Sequence, residues 1–498
     1  MSLQHLYLAL LAASLVVLVS IEATRVAARV GLPSLLLFLG LGVLLGEDVL
    51  GIQFDDARLA QSLGTSALAV ILIEGGLTTR WTDIRRSMAP AAVLASFGVG
   101  ISTAVTAVGA HYLVHLSWQL SLLIGATVSS TDAAAVFSVL RVLPIVKRTA
   151  GLLEAESGLN DAPSVILVLV LSETPFHLDA ATLIEHLAYE LAVGAAIGLA
   201  IARLGALALP RLALPASGLY PLATFALCVV AFAAAGAAHA SGFLAAYLAA
   251  LVLANAGLPH RAATRSFAEG LAQLAQIGLF VLLRLLVTPS ELPAQIVPAL
   301  VIGLVLLLVA RPLSVLASLL PFRVPLREQA FVSWAGLRGA VPIVLTTFAM
   351  VSDVPESGRM LNIVFLLVTI YTLVQGPTLA TLARLLNLSP KEAAREIVVE
   401  SAPLDVLDAE LLAMTIPPGS KLNAVSIIEL RLPKPSVITM IIRAGQTFVP
   451  ASDSQIRAGD ELLIVTTRAL RDITERRLRA VHRAGPLAEW LGEKGRRR

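Results

Sequence analysis

Residues 152–165 read Leu-Leu-Glu-Ala-Glu-Ser-Gly-Leu-Asn-Asp-Ala-Pro-Ser-Val, and they lie inside an apolar run from 148 to 172. Ser157, Asn160, Asp161 and Ser164 stand at i, i+3, i+4 and i+7, which is one face of a helix. The remaining positions are mostly Leu, Ala, Val and Ile. The run is long enough to cross a hydrocarbon core of about 30 Å. A carboxylate at mid-helix costs roughly 2.5–3.5 kcal/mol on the insertion scale. Such a group must face the interior of a bundle, pair, or line a wet cavity.

Outward from this stretch the pattern repeats. The chain has 498 residues, 57% hydrophobic and 14% charged. Soluble domains carry about 25% charged residues, so the excess places the chain among polytopic membrane proteins. Apolar runs predict thirteen spans near 5–24, 32–47, 59–77, 88–114, 119–140, 148–172, 181–209, 219–238, 242–257, 266–287, 293–320, 329–350 and 360–386. Met1 to His5 carry no Lys or Arg, so 5–24 reads as a true span rather than a cleaved signal peptide. The single cysteine, Cys228, excludes an internal disulfide and Cys-based metal sites. The weak basic excess, 37 against 34, gives no sign of nucleic-acid binding. The histidines are scattered in loops, and no catalytic constellation stands out; the chain does not read as an enzyme.

Loop charges set the orientation. Loops after odd-numbered spans hold Arg25 and Arg29; Arg80, Arg85 and Arg86; Arg141, Lys147 and Arg148; Arg203 and Arg211; Arg261 and Arg265; Arg323 and Arg327; and Arg384, Lys391 and Arg395. Loops after even-numbered spans hold little beyond Arg58, Arg284 and Arg359. The positive-inside rule then predicts an N-terminus outside and a C-terminus in the cytosol.

Other ionisable groups fall inside spans: Glu74 in ILIEGGL, Asp132 in SSTDAAAVF, Glu154 and Glu156 beside Asp161, and Arg338 in WAGLRGAVP. A stripe of oxygen donors with one carboxylate suits a hard monovalent cation. The plainer alternative is a polar seam between helices, which serves Ser157 and Ser164 about as well and suits a buried carboxylate poorly. Two segments look broken. Ser129 to Thr131 precede Asp132, and Gly336, Gly339 and Pro342 surround Arg338; Gly and Pro weaken a helix. Paired interrupted spans in two halves point to a transporter's site. The offset between spans five and twelve fits two inverted six-helix repeats plus one extra N-terminal span. Arg338 reads as the only basic residue deep in the bundle, so it needs a carboxylate. Glu156 is the favoured partner, with Glu154 the alternative. Glu74 ends a span beside Gly75 and Gly76 and could equally face cytosolic water.

Ser130-Thr131-Asp132, then Glu156-Ser157-Gly158-Leu159-Asn160-Asp161, then Gly336-Leu337-Arg338-Gly339-Ala340 resemble the NhaP-type branch of the monovalent cation/proton antiporters. The resemblance covers about residues 5–387. Gly46-Glu47-Asp48, Gly51 to Asp55 and Ala133 to Ser138 look like its potassium/proton (cell-volume-regulation) subgroup. It implies that Asp161 is the shared cation or proton site. Asn160 and Asp132 would fix its geometry, Thr131 would supply oxygens at the helix crossing, and Ser157 and Glu74 would be ligands. Glu156 and Arg338 would form a structural ion pair. Members of that subgroup tend to carry Asp where this chain has Glu74, which bears on K+ against Na+. Asn before Asp161 resembles the electroneutral members. The expected substrates are K+ or Na+ and H+, the expected place a bacterial plasma (inner) membrane in contact with lipid, and the expected mechanism alternating access. The rivals are a gated cation channel, for which no filter is evident, and a membrane sensor that moves no ion.

After residue 387 the composition changes. Residues 388–407 read as a charged, helical linker and 408–482 as a small α+β domain, with a basic tail over 483–498. SVITMIIRAGQTFVP (436–450) alternates around Ala444-Gly445, a hairpin signal. Leu422 to Leu430 reads as a short helix, ELLIVTT (461–467) as a strand and RALRDITERRLRAV (468–481) as a basic amphipathic helix. Gly419-Ser420-Lys421-Leu422, Ile442 to Gly445 and Gly459-Asp460-Glu461-Leu462 are similar to the TrkA-C (RCK-C) domain of potassium-conductance regulators. That resemblance implies a homodimer and, in some such domains, binding of cyclic di-AMP or another nucleotide. No Gly-rich dinucleotide fingerprint precedes it, and no other cofactor is expected.

Overall fold

A computed structural model describes residues 3–30, 56–132, 145–173, 180–388 apart from 213, 217, 259 and 288, 399–404, and 409–485 apart from 468, with single positions 38, 40, 136 and 176. The predicted span 32–47, the second half of 119–140, most of the linker and the tail beyond 485 lie outside these residues. The chain divides into two compact units, Met1–Ser389 and Pro390–Arg498.

The first unit is helical. Its elements are α1 (Leu3–Val30), α2 (Ala57–Thr78), α3 (Met88–Val114), α4 (Trp118–Ser129), α5 (Lys147–Leu159), α6 (Asp161–Leu171), α7 (Ala180–Ala208), α8 (Leu219–Ala237), α9 (Gly242–Asn255), α10 (Arg261–Leu285), α11 (Pro289–Phe322), α12 (Leu326–Trp334), α13 (Ala340–Val351) and α14 (Ser357–Leu385). Seven of the described helices (α2, α3, α7, α8, α10, α11 and α14) are long and apolar enough to cross a membrane. Three shorter apolar helices, α4, α9 and α13, stand among them. Such an arrangement is that of a multi-pass membrane protein.

Local sequence explains the boundaries. Asp56 and Ser117 accept from Leu59 and Leu120 amides and cap α2 and α4. The runs 219–238 and 242–257 are separate helices, because Ser241 caps α9. The helices α5 and α6 are one element bent at Asn160. Pro163, with no N–H, cannot donate to the carbonyl of Leu159. Small residues let α7 and α9 approach closely: a Cβ on Gly194 would lie 2.6 Å from the Ser241 carbonyl oxygen, and one on Gly198 2.5 Å from that of Ala245.

The second unit holds one antiparallel sheet of β1 (Val399–Leu404), β2 (Ala409–Thr415), β3 (Val437–Arg443), β4 (Gln446–Phe448) and β5 (Glu461–Thr467), in the order β1-β2-β5-β3-β4. Ala444 and Gly445 both have positive φ, 50° and 81°, as the two-residue turn of a hairpin demands. The helix α15 (Arg471–Ala484) places Leu478 and Val481 in the apolar core with Leu412, Ile441 and Ile464. Asp460 is fully buried and accepts from Arg443 Nε at 2.8 Å, Arg443 Nη2 at 2.7 Å and the Arg457 amide at 2.7 Å. Burial pushes its carboxyl up, but these donors and the arginine charges pull harder and leave it below the usual carboxylate range.

Two readings are corrected here. The linker is not helical over 399–404, where β1 pairs with β2 in register. Residues 422–430 form turns and a single 3-10 segment, Ile427–Leu430, rather than a helix through the stretch.

Candidate functional site: two broken helices beside a buried carboxylate

Both segments rich in Gly and small polar residues break their helices. After α4, Ser130 is extended (φ −63°, ψ 144°). Between α12 and α13, residues 335–339 have no helical structure. The two breaks touch: the Asp132 amide donates to the Leu337 carbonyl at 2.9 Å. Broken helices bury unpaired backbone ends, and each break here repairs the other. The Asp132 carboxylate accepts from the Ala340 amide at 2.9 Å, at the N-terminus of α13. Arg338 Nε donates to the Val128 carbonyl at 2.6 Å, at the C-terminus of α4. A negative group thus faces the positive end of one half-helix, and a positive group faces the negative end of the other. Gly339 makes room, because a Cβ there would overlap the Asp132 carboxylate.

The bent helix α5/α6 lies alongside. Asn160 Nδ2 donates to Thr131 Oγ1 at 2.5 Å, and Ser157 Oγ lies 3.1 Å from the same oxygen. Asp161 is buried, 3% exposed, and accepts from Ser130 Oγ at 2.6 Å. Asn160 Oδ1 and Ser164 Oγ are buried without a hydrogen-bond partner among the described residues. The structure therefore gathers Thr131, Ser157, Asn160 and Asp161 into one cluster, with Asp132 on the adjoining extended segment. Glu74 is buried on α2, a helix that packs on α5, α9, α10 and α13. The donor set of hydroxyl, amide and carboxylate oxygens suits a hard monovalent cation.

The ion pair is not Glu156 with Arg338. Glu156 meets Arg311 of α11 in a two-point contact, Oε1 to Nη1 at 2.6 Å and Oε2 to Nη2 at 2.9 Å. Nor is Arg338 the only deep basic residue, since Arg311 is 4% exposed. Arg338 spends its donors on backbone carbonyls, those of Val128 and Gly336. The two guanidinium groups converge on Gly336, where a Cβ would lie 2.8 Å from Arg338 Nη1 and 3.0 Å from Arg311 Nε. The sequence reading missed Arg311 and the role of Ser130 as donor to Asp161.

Two discontinuous helices crossing beside a buried carboxylate, within an apolar helical unit, define the class of membrane proteins in which broken helices line an ion or substrate site. The chain belongs to the sodium/hydrogen exchanger family: the description "Sodium/hydrogen exchanger, transmembrane" matches residues 12–385. It is 37% identical over 474 residues to the K(+)/H(+) antiporter NhaP of Alkalimonas amylolytica, covering 93% of this chain and 82% of that one. It is 35% identical over 463 residues to the K(+)/H(+) antiporter NhaP2 of Shewanella sp. (strain MR-4), covering 91% and 80%. Its fold is similar to the sodium proton antiporter MjNhaP1 from Methanocaldococcus jannaschii at pH 8, with a TM-score of 0.66 at 20% identity, over 76% of this chain and 99% of that one.

Proposed function

We propose that this protein exchanges a monovalent cation for a proton across a bacterial plasma membrane, one for one and electroneutrally, with K+ favoured over Na+. The observation that carries this reading is the state of Asp161. It is buried, a single serine hydroxyl donates to it among the described residues, and two further buried oxygens of the same bent helix, those of Asn160 and Ser164, have no partner among those residues. The nearby guanidinium of Arg311 is held by Glu156, and that of Arg338 by carbonyls. An ionised carboxylate in a dry site is costly unless a positive ion accompanies it. A proton and a cation therefore compete for Asp161, with Ser157, Asn160, Thr131 and Glu74 as ligands and Asp132 fixing the crossing. If only the neutralised site moves between inward- and outward-facing states, exchange is obligatory. Rocking of one helical bundle against another supplies the motion.

The names of the relatives support the choice of K+. Thirteen spans in two inverted repeats, an outer N-terminus, a cytosolic C-terminus and a homodimer complete the proposal. The sheet domain acts as an RCK-C-like regulator that senses a nucleotide such as cyclic di-AMP. The test is cation-driven proton movement in proteoliposomes loaded with a pH dye, with K+ and Na+ in turn, for the wild type and Asp161→Asn. Flux that requires the cation and vanishes in Asp161→Asn is expected. Wild-type protein that moves no protons with either ion would leave a non-transporting sensor as the better account.

A further inference from the structure

The helix α9 carries a buried group that the site above does not use. Tyr247 is fully buried, and its hydroxyl has no hydrogen-bond partner among the described residues. Two glycines admit it. A Cβ on Gly158 of α5 would overlap the Tyr247 ring and lie 2.8 Å from its hydroxyl oxygen. A Cβ on Gly76 of α2 would lie 2.8 Å from the Tyr247 carbonyl oxygen. Tyr247 is thus wedged between the segment that follows Glu74 and the segment that precedes Asp161. On α5/α6, Glu154, Gly158 and Asp161 are spaced i, i+4 and i+7, so they share one face. The Tyr247 ring lies against Gly158 on that face.

A hydroxyl buried without a partner costs stability. Phenylalanine would fill the same space without that cost. The hydroxyl therefore needs a partner that arrives, and a cation drawn to the acidic positions on the face it occupies would be such a partner. We infer that Tyr247 is a cation ligand on the path to Asp161: its oxygen joins the coordination of the cation as the ion passes from the Glu154 end of α5 towards Asp161, and so helps to set cation affinity. The inference rests on the proposed site at Asp161 and adds to it a residue from a helix outside the crossing.

The test uses full-length protein with two readouts. One is the thermal unfolding midpoint in detergent as K+ or Na+ replaces choline; the other is the cation concentration that half-saturates proton flux in proteoliposomes. Tyr247→Phe is expected to unfold at the same temperature or higher without cation, since it loses only an unpaired hydroxyl. Its half-saturating cation concentration should rise at least threefold in both readouts. A merely structural role would lower the cation-free midpoint and leave half-saturation where it was, and that result overturns the inference. Cation-dependent stabilisation of the wild type without proton flux would defeat the antiport reading alone, and the Tyr247→Phe shift in stabilisation would still decide this one. Wild-type protein that neither is stabilised by K+ or Na+ nor moves protons would overturn both.

Discussion

Glu156 sits between two candidate arginines, and geometry rather than proximity decides which one it serves. Arg311 offers both terminal nitrogens to both carboxylate oxygens, a charge-assisted two-point contact. Breaking a buried pair on one side leaves an uncompensated charge, at a cost of roughly 3–5 kcal/mol. Glu156→Gln and Arg311→Met should each lower the unfolding midpoint sharply, and the double substitution should regain much of the loss. The same cycle with Arg338→Met should show weaker coupling than the Arg311 cycle, because Arg338 bonds to carbonyls and meets Glu156 only through space. Thermal unfolding of the four proteins in each cycle checks this; strong coupling of Glu156 to Arg338 would reverse the assignment. At this scale the stripe around Asp161 was legible, because helical periodicity alone puts Ser157, Asn160 and Ser164 beside it. Arg311 was not, because it lies in an uninterrupted apolar run and its partner comes from a helix more than 150 positions away. Ser130 carries no such signal, since a serine's role as donor depends on how two separate helices meet.

Elements explain why the cluster forms. Neither half of a broken helix can leave its end groups unpaired in a membrane, so the two breaks must lie where each supplies the other's missing partner. Asp132 and Arg338 do this in opposite senses, and Gly339 is the space that allows it. Gly339→Ala should therefore push the Asp132 carboxylate off the Ala340 amide. Losing that bond in a buried site costs about 1–3 kcal/mol, and proton flux should fall by more than tenfold. The control is Gly358→Ala on α14, where an added Cβ meets nothing within 4 Å; it should leave flux and unfolding midpoint unchanged. Equal effects of the two substitutions would show that the crossing tolerates an added methyl group at Gly339. The breaks themselves were readable from Gly, Pro and small polar residues in mid-span. The strands β1 and β2 were not. Pro403 and the charged residues around 391–400 dilute any alternation, and β1 owes its form to pairing with β2 rather than to a pattern of its own. The hairpin of β3 and β4 was readable, because Ala444-Gly445 meets a local demand for positive φ.

At the scale of the whole molecule, the proposed sidedness of the chain rests on its loop charges, and the structure offers exposed positions at which to test it. Arg86, Arg323 and Asp453 are exposed, as are His115 and Asp353. Under the positive-inside assignment the first three are cytosolic and the last two face outward. Cys228 is fully buried and is the chain's one cysteine, so Cys228→Ala provides a background without thiols at little structural cost. In that background, Arg86→Cys, Arg323→Cys and Asp453→Cys should react with a membrane-impermeant maleimide in inverted vesicles and stay protected in right-side-out vesicles. His115→Cys and Asp353→Cys should show the reverse. Arg86 precedes the first broken helix, α4, and Arg323 precedes the second, α12/α13, so an odd error in the number of intervening spans would put them on opposite sides. Labelling of Arg86→Cys and Asp453→Cys from opposite faces would make the number of spans between them odd, against the even number (spans four to thirteen) of the thirteen-span reading, and, with Arg86 cytosolic, would place the sheet domain outside, where it could not regulate transport from the cytosol.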